Sequence, residues 1–216
     1  MSAQASTAEA VQDGRVLNGQ QTRQKVLDAA IACLVRYGYA GATTVRIAEH
    51  AGVSRGAQMH HFQTREELVA AAVEHLALRR GAELAQHERG LPRGPGRVAA
   101  ALDLLWSSFS GDLYQASLEL WTAARTDAEL RRRVDAAERR LGQGQRDLFG
   151  RLLGLGNERR SGFDQQVQFA VGAMRGLALL DTFHTDPEAR TRHWAFTRAQ
   201  LVEMFTRKTK GRTRKE

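Results

Sequence analysis

Residues 43–62, TTVRIAEHAGVSRGAQMHHF, decide how the rest of the chain is read. The stretch divides into two short helices, about 44–50 and 54–61, around a break at Gly52. Ala48 is small where the two helices would cross, and Gly52 can take the left-handed backbone that a Cβ penalises. Val53 points back toward a small core, and Ser54 can cap the second helix. The first turn after Ser54, with Arg55, Gly56 and Ala57, would then project outward. A helix-turn-helix of this kind presents that end of its second helix to base edges in the major groove.

Upstream, Val26, Ala30, Leu34 and Tyr37 form a helical stripe that Gly38 and Gly41 end. Downstream, Thr64-Arg65-Glu66-Glu67 is a capping box that opens a helix carrying Leu68, Ala72, His75 and Leu76. Residues 89–96, RGLPRGPG, read as a linker or a helix-to-helix turn. Beyond them, Val98, Ala101, Leu102, Leu105 and Phe109 repeat at helical spacing, as do Leu113, Ser117, Leu120 and Ala124. Thr126-Asp127-Ala128-Glu129 is a second capping box, predicting a helix to about Leu153 that Gly154, Gly156 and Asn157 break. A helix from about Phe163 to Phe183 follows, and Asp186 with Pro187 starts a last one. No strand is expected, so the fold class is all-α, with a three-helix helix-turn-helix domain before a helical bundle.

The segment from about Thr22 to Leu68 resembles the DNA-binding domain of the TetR/AcrR family. The resemblance rests on Tyr37-Gly38, a threonine pair (Thr43, Thr44), Ile47-Ala48, Ala51-Gly52-Val53-Ser54, Gly56 and His60-His61-Phe62, then a basic residue and Glu-Leu. It implies a transcriptional regulator, most simply a repressor, that binds a palindromic double-stranded DNA operator as a homodimer and is released by a small-molecule effector. Activation, or no effector at all, stays open, as do an all-helical enzyme or ligand carrier and a nonspecific architectural protein. The implied organisation is an arm without regular structure over 1–19, a DNA-binding domain over 20–66, a ligand-binding and dimerisation domain over 67–207 and a basic tail over 208–216. No catalytic group, cofactor or metal site is implied. His60 and His61 are helix neighbours that face different ways, a poor pair of metal ligands.

The DNA-contacting set expected from this reading is Thr43, Thr44, Arg46, Ser54, Arg55, Gly56, Ala57, Gln58, Met59, His60 and Arg65. Two positions depart from the family pattern. Gln58 stands where an apolar residue is usual, so a base contact and a buried packing role are both open. Met59 replaces a phosphate-binding tyrosine, which leaves phosphate anchoring to Thr44, His60, Arg65 and backbone amides. Arg55 suits a guanine, Gln58 an adenine and Met59 a thymine methyl group.

The resemblance implies an effector pocket after about residue 80 and a dimer interface on the last two helices. Polar groups in apolar helices and nearby aromatics nominate Asp103, Trp106, Phe109, Tyr114, Glu119, Trp121, Phe149 and Met174 for the pocket, with plain core as the alternative. Small residues among apolar ones nominate Phe169, Gly172, Ala173, Gly176 and Leu180 for the dimer, joined by Trp194, Leu201 and Phe205. Packing within one chain is the alternative.

Composition is consistent with this division. The net charge is +8, and the excess sits in two places: +3 over residues 21–80 and +5 over residues 207–216. A basic segment beside a nearly neutral one fits a polyanion-binding head, although the tail can equally serve solubility. Cys33 is the single cysteine, which excludes an intrachain disulfide, and its apolar neighbours point to a structural thiol. No apolar run reaches the roughly 18 residues of a membrane span, and the N-terminus lacks a signal-peptide pattern. A cytoplasmic location without membrane contact is expected.

Overall fold

The computed structural model describes residues 2–154, 162–183 and 186–207, with side chains from residue 18 onward. Nine α-helices occupy these residues, with no strand among them: α1 Ser2–Gly41, α2 Thr44–Ala51, α3 Arg55–His61, α4 Arg65–Gln86, α5 Arg97–Trp106, α6 Asp112–Ala123, α7 Ala128–Leu153, α8 Phe163–Phe183 and α9 Pro187–Thr206. Short 3₁₀ turns lie at His87–Gly90 and Ser107–Phe109. The helix boundaries follow the predicted ones closely from α2 to α9.

The N-terminus differs from expectation. The backbone is helical from Ser2, where 1–19 was expected to lack regular structure. The segment has no apolar periodicity, but its alanines, glutamines and glutamate are good helix formers, so local preference can extend α1. The basic tail lies outside the described residues.

The caps explain where helices start. Thr64 Oγ1 accepts the Glu67 N–H at 3.1 Å, and Glu67 reaches back to the Gln63 N–H at 3.0 Å. Asp186 accepts from the Glu188 N–H at 2.9 Å with Pro187 beginning α9. The second expected box is built otherwise: Asp127, not Thr126, accepts the Leu130 N–H at 2.9 Å. Thr126 instead donates to the Ala123 carbonyl, and Glu129 pairs with Arg132 and Arg133.

Packing divides the chain into two units that do not coincide with a boundary at 66/67. One combines Met1–Leu78 with Gly111–Leu141, the other Arg79–Ser110 with Gly142–Glu216. In the first unit Val26, Leu27, Ala30, Cys33 and Leu34 of α1 join Ile47, Phe62, Leu68, Val69 and Ala72. The same core takes Ala116, Leu120, Ala124 and Leu130, so α6 and the start of α7 complete it. Full burial of the valine, leucine, isoleucine and phenylalanine side chains among them contributes about 1.5–3 kcal/mol each. Cys33 lies fully inside this core, and burial pushes its thiol up, as befits a structural role. The second unit is built around Leu102, Phe149, Leu152, Val167, Met174, Leu201 and Phe205.

The end of α1 is held by residues far away in sequence. At Gly38 the backbone turns left-handed (φ 65°, ψ 178°), which exposes the next amide. Glu119 of α6 accepts that Tyr39 N–H at 2.8 Å. Arg65 donates to the Ala42 carbonyl at 2.9 Å and to the Tyr39 carbonyl, and stacks 4.0 Å over the Tyr39 ring. The Tyr39 hydroxyl points to Glu66 (3.5 Å) and Asp127 (3.4 Å).

Burial, seconded by those two carboxylates and opposed by Arg65, pushes the Tyr39 phenol up from 10.0 to about 12. Between these values the unfolded chain gives up a proton that the folded chain keeps, so stability falls as pH rises through this window. Tyr39→Phe should flatten the alkaline decline of the denaturant midpoint between about pH 10 and pH 12. An unchanged slope would show that other groups set it.

Candidate nucleic-acid interface

The first unit presents α2 and α3 as a capped helix pair joined by a tight turn. Thr43 caps α2 by accepting the Arg46 N–H at 3.3 Å, and Ser54 caps α3 by accepting the Ala57 N–H at 3.1 Å. Between them Gly52 lies in the left-handed region (φ 65°, ψ 34°). Its N–H donates to the Glu49 carbonyl and that of Val53 to the Ala48 carbonyl, both at 3.1 Å, which closes the C-terminus of α2. Ile47 and Ala48 are buried beneath the turn.

The exposed positions are Thr43, Arg46, Ser54, Arg55, Gly56, Met59 and His60, with Thr44 and Ala57 half-buried. Nine of the eleven expected contact residues are therefore reachable from solvent on these two helices and their caps. The remaining two are engaged elsewhere. Gln58 is 2% exposed, which decides its open question in favour of packing. It is the one residue of α3 that is fully buried, although its i+3 spacing sets it near the exposed Arg55 on the helix surface. The Arg65 guanidinium is bound to the carbonyls at the end of α1, so it holds the domain together and is not a free phosphate contact. Arg46 is exposed but oriented: it donates to the Gly41 carbonyl and lies 4.5 Å over the Tyr37 ring. Tyr37, itself partly exposed beside Arg46, is a surface residue the sequence placed only in a core stripe.

Comparison with known proteins gives this geometry its family. Residues 26–72 match the model of the bacterial regulatory proteins of the tetR family. The chain is 31% identical over 172 residues to the transcriptional regulator CymR of Pseudomonas putida, covering 78% of this chain and 83% of that one. This chain belongs to the TetR family. It is also 32% identical over 137 residues to the transcriptional repressor AcnR of Corynebacterium diphtheriae, covering 63% of this chain and 68% of that one. Among solved structures, the transcriptional regulator FadR of Bacillus subtilis in complex with stearoyl-CoA shares the fold, with a TM-score of 0.62 at 15% identity over 83% of this chain and 97% of that one. The protein is thus a transcriptional regulator of the TetR family, and no helix among its described residues is long and apolar enough to cross a membrane.

The eight residues nominated for a TetR-type effector pocket fall in both units. Tyr114, Glu119 and Trp121 belong to the first, where Glu119 holds the end of α1 and Trp121 donates to Glu138 at 3.2 Å. Asp103, Trp106, Phe109, Phe149 and Met174 belong to the second. There Asp103 accepts from Trp194 Nε1 at 2.8 Å and from Arg198 at 2.6 Å. Trp106 stacks with Trp194 (ring centroids 4.8 Å apart) and with Phe109 (6.3 Å). Phe149 and Met174 are core residues.

The dimer set also divides. On α8, Phe169, Gly172, Gly176 and Leu180 are exposed and Ala173 is half-buried. On α9, Leu201 and Phe205 are buried in the core of their own unit and Trp194 stacks on Trp106, so these three do not form an exposed face. Phe196, 70% exposed, occupies the outer side of α9 instead. It lies two residues from Trp194, a rotation of about 200° around the helix, so the stripe that found Trp194 passed it over.

Gly52→Ala would meet no neighbouring atom, so its cost is confined to the left-handed backbone. That cost is about 1 kcal/mol, and chemical denaturation should show it as a lower midpoint with an unchanged slope. A neutral result would mean that the turn relaxes without loss.

Proposed function

We propose that the protein is a ligand-responsive repressor that binds a palindromic operator as a homodimer, with one α3 in each of two successive major grooves about 34 Å, or a small multiple of that, apart. The observation that carries the reading is the exposed start of α3, Ser54 to Gly56, on a helix that buries Gln58. Arg55 is the principal reader, since its guanidinium can grip guanine N7 and O6 together. Met59 offers an apolar contact to a thymine methyl group. Thr44, His60 and the amides opening α2 anchor phosphates, with Arg46 held beside them by Tyr37.

The dimer reading is supported by an apolar strip on the second unit. Phe169 is 62% exposed and Phe183 73%, and Gly172, Gly176 and Leu180 continue between them at helical spacing. With Phe196 on α9, these side chains form exposed apolar surface that a twofold partner would remove from water. An effector that binds preferentially to a dimer with another head spacing would shift the population off DNA. The stearoyl-CoA bound to FadR and the repressor function of AcnR support a repressor answering a small molecule.

Arg55→Ala should weaken binding to the operator by about 1–3 kcal/mol for each half-site, measured by fluorescence anisotropy, while sedimentation still shows a dimer. Affinity for the intact protein should fall steeply with added salt; a salt-insensitive interaction would sink the reading. Phe183→Glu should shift the dimer toward monomer and weaken operator binding although α3 is untouched. A variant that remains dimeric would place the interface elsewhere.

A further inference from the structure

The junction between α4 and α5 carries features that neither operator binding nor the family reading uses. A groove of about 730 Å³ opens there, lined by Ala85, Gln86, Glu88, Arg89, Leu91, Arg93 and Arg97. That volume suits a metabolite-sized molecule. Its lining holds three guanidinium groups and one carboxylate.

The charge is not balanced locally. Glu88 is shared between Arg97 (3.7 Å) and Arg151 (3.8 Å), both at ion-pair rather than hydrogen-bond distance. Arg89 and Arg93 are exposed and have no carboxylate partner among the described residues. The Arg97 side chain is only 20% exposed. One of its terminal nitrogens donates to the Arg151 carbonyl at 2.9 Å, but its buried Nε–H has no acceptor. Arg97 also opens α5, whose preceding residue, Gly96, supplies no side-chain cap. The Arg97 N–H itself donates to the Gly94 carbonyl at 3.0 Å, and the amides that follow it at the start of α5 add partial positive charge to the same place. Beside these donors, Ala85 and Leu91 give the groove an apolar wall.

We propose that this groove is a binding site for a small oxyanion-bearing molecule, with Arg89, Arg93 and Arg97 as its charge partners. A guanidinium presents paired N–H donors that match the oxygens of a phosphate or a carboxylate. Arg89 and Arg93 supply the long-range attraction and the outer hydrogen bonds. Arg97, anchored over the end of α7, supplies the fixed inner donor. Glu88 opposes the anion and sets a lower affinity than three arginines alone would give. The site needs neither the operator nor a partner chain.

Isothermal titration of the full-length protein without DNA tests it, using inorganic pyrophosphate and malonate as separate probes against sodium chloride at matched ionic strength. Saturable binding of either probe, absent with chloride, is expected, and the responding probe tells phosphate from carboxylate chemistry. The double variant Arg89→Ala/Arg93→Ala, whose side chains are exposed and unpaired, should fold normally and bind at least tenfold more weakly. Glu88→Gln should bind several-fold more tightly. Failure of both probes, equal heats with chloride, or unchanged affinity in the double variant would overturn the proposal. Because no DNA is present, its failure leaves the operator reading standing, and the converse also holds.

Discussion

A left-handed turn at Gly38 leaves the last residues of α1 with backbone groups that the helix itself cannot satisfy, and the first unit is arranged around answering them. Glu119 takes the Tyr39 amide, and Arg65 takes the carbonyls of Tyr39 and Ala42. These bonds join the first, fourth and sixth helices at the point from which α2 and α3 depart. An amide or carbonyl left without a partner there would cost about 1–3 kcal/mol. The orientation of the helix-turn-helix therefore depends on side chains outside it, one of them eighty residues later in the chain.

Much of this was legible in the sequence, because local rules act alone at the places concerned. The break at Gly52, the cap at Ser54, the capping box at Thr64 and the start of α9 at Asp186 each follow from two to four adjacent residues. Apolar periodicity likewise located the stripe of α1 and the helices after residue 97. Residues 2–19 show the limit of that method. A helix with good propensity and no apolar face gives no periodic signal.

The fate of polar residues was the least readable feature. Arg65, Gln58, Glu119 and Asp103 were all singled out as candidates for contact with DNA or a ligand. All four have structural work: Arg65 and Glu119 hold the end of α1, Gln58 is buried within α3, and Asp103 holds Trp194 and Arg198. A polar side chain in an apolar helix signals an unmet partner, but the sequence does not say whether that partner is a ligand or the chain's own backbone. Conversely, residues 89–96, which form much of the groove, were read as a linker or a helix-to-helix turn, since glycines and prolines carried the strongest local signal and the arginines converge only in three dimensions.

The interleaving of the two units has a consequence for biosynthesis. The core beneath the helix-turn-helix includes Leu120, Ala124 and Leu130. A ribosome that has released only the first eighty residues has made the whole helix-turn-helix, yet not the surface that α1 and α4 must cover. The nascent amino-terminal portion must wait, with apolar side chains uncovered, until the start of α7 emerges. Non-local closure of this kind slows folding, and a proteolytic or engineered fragment ending near Leu78 would retain the reading head without the floor that holds it in shape.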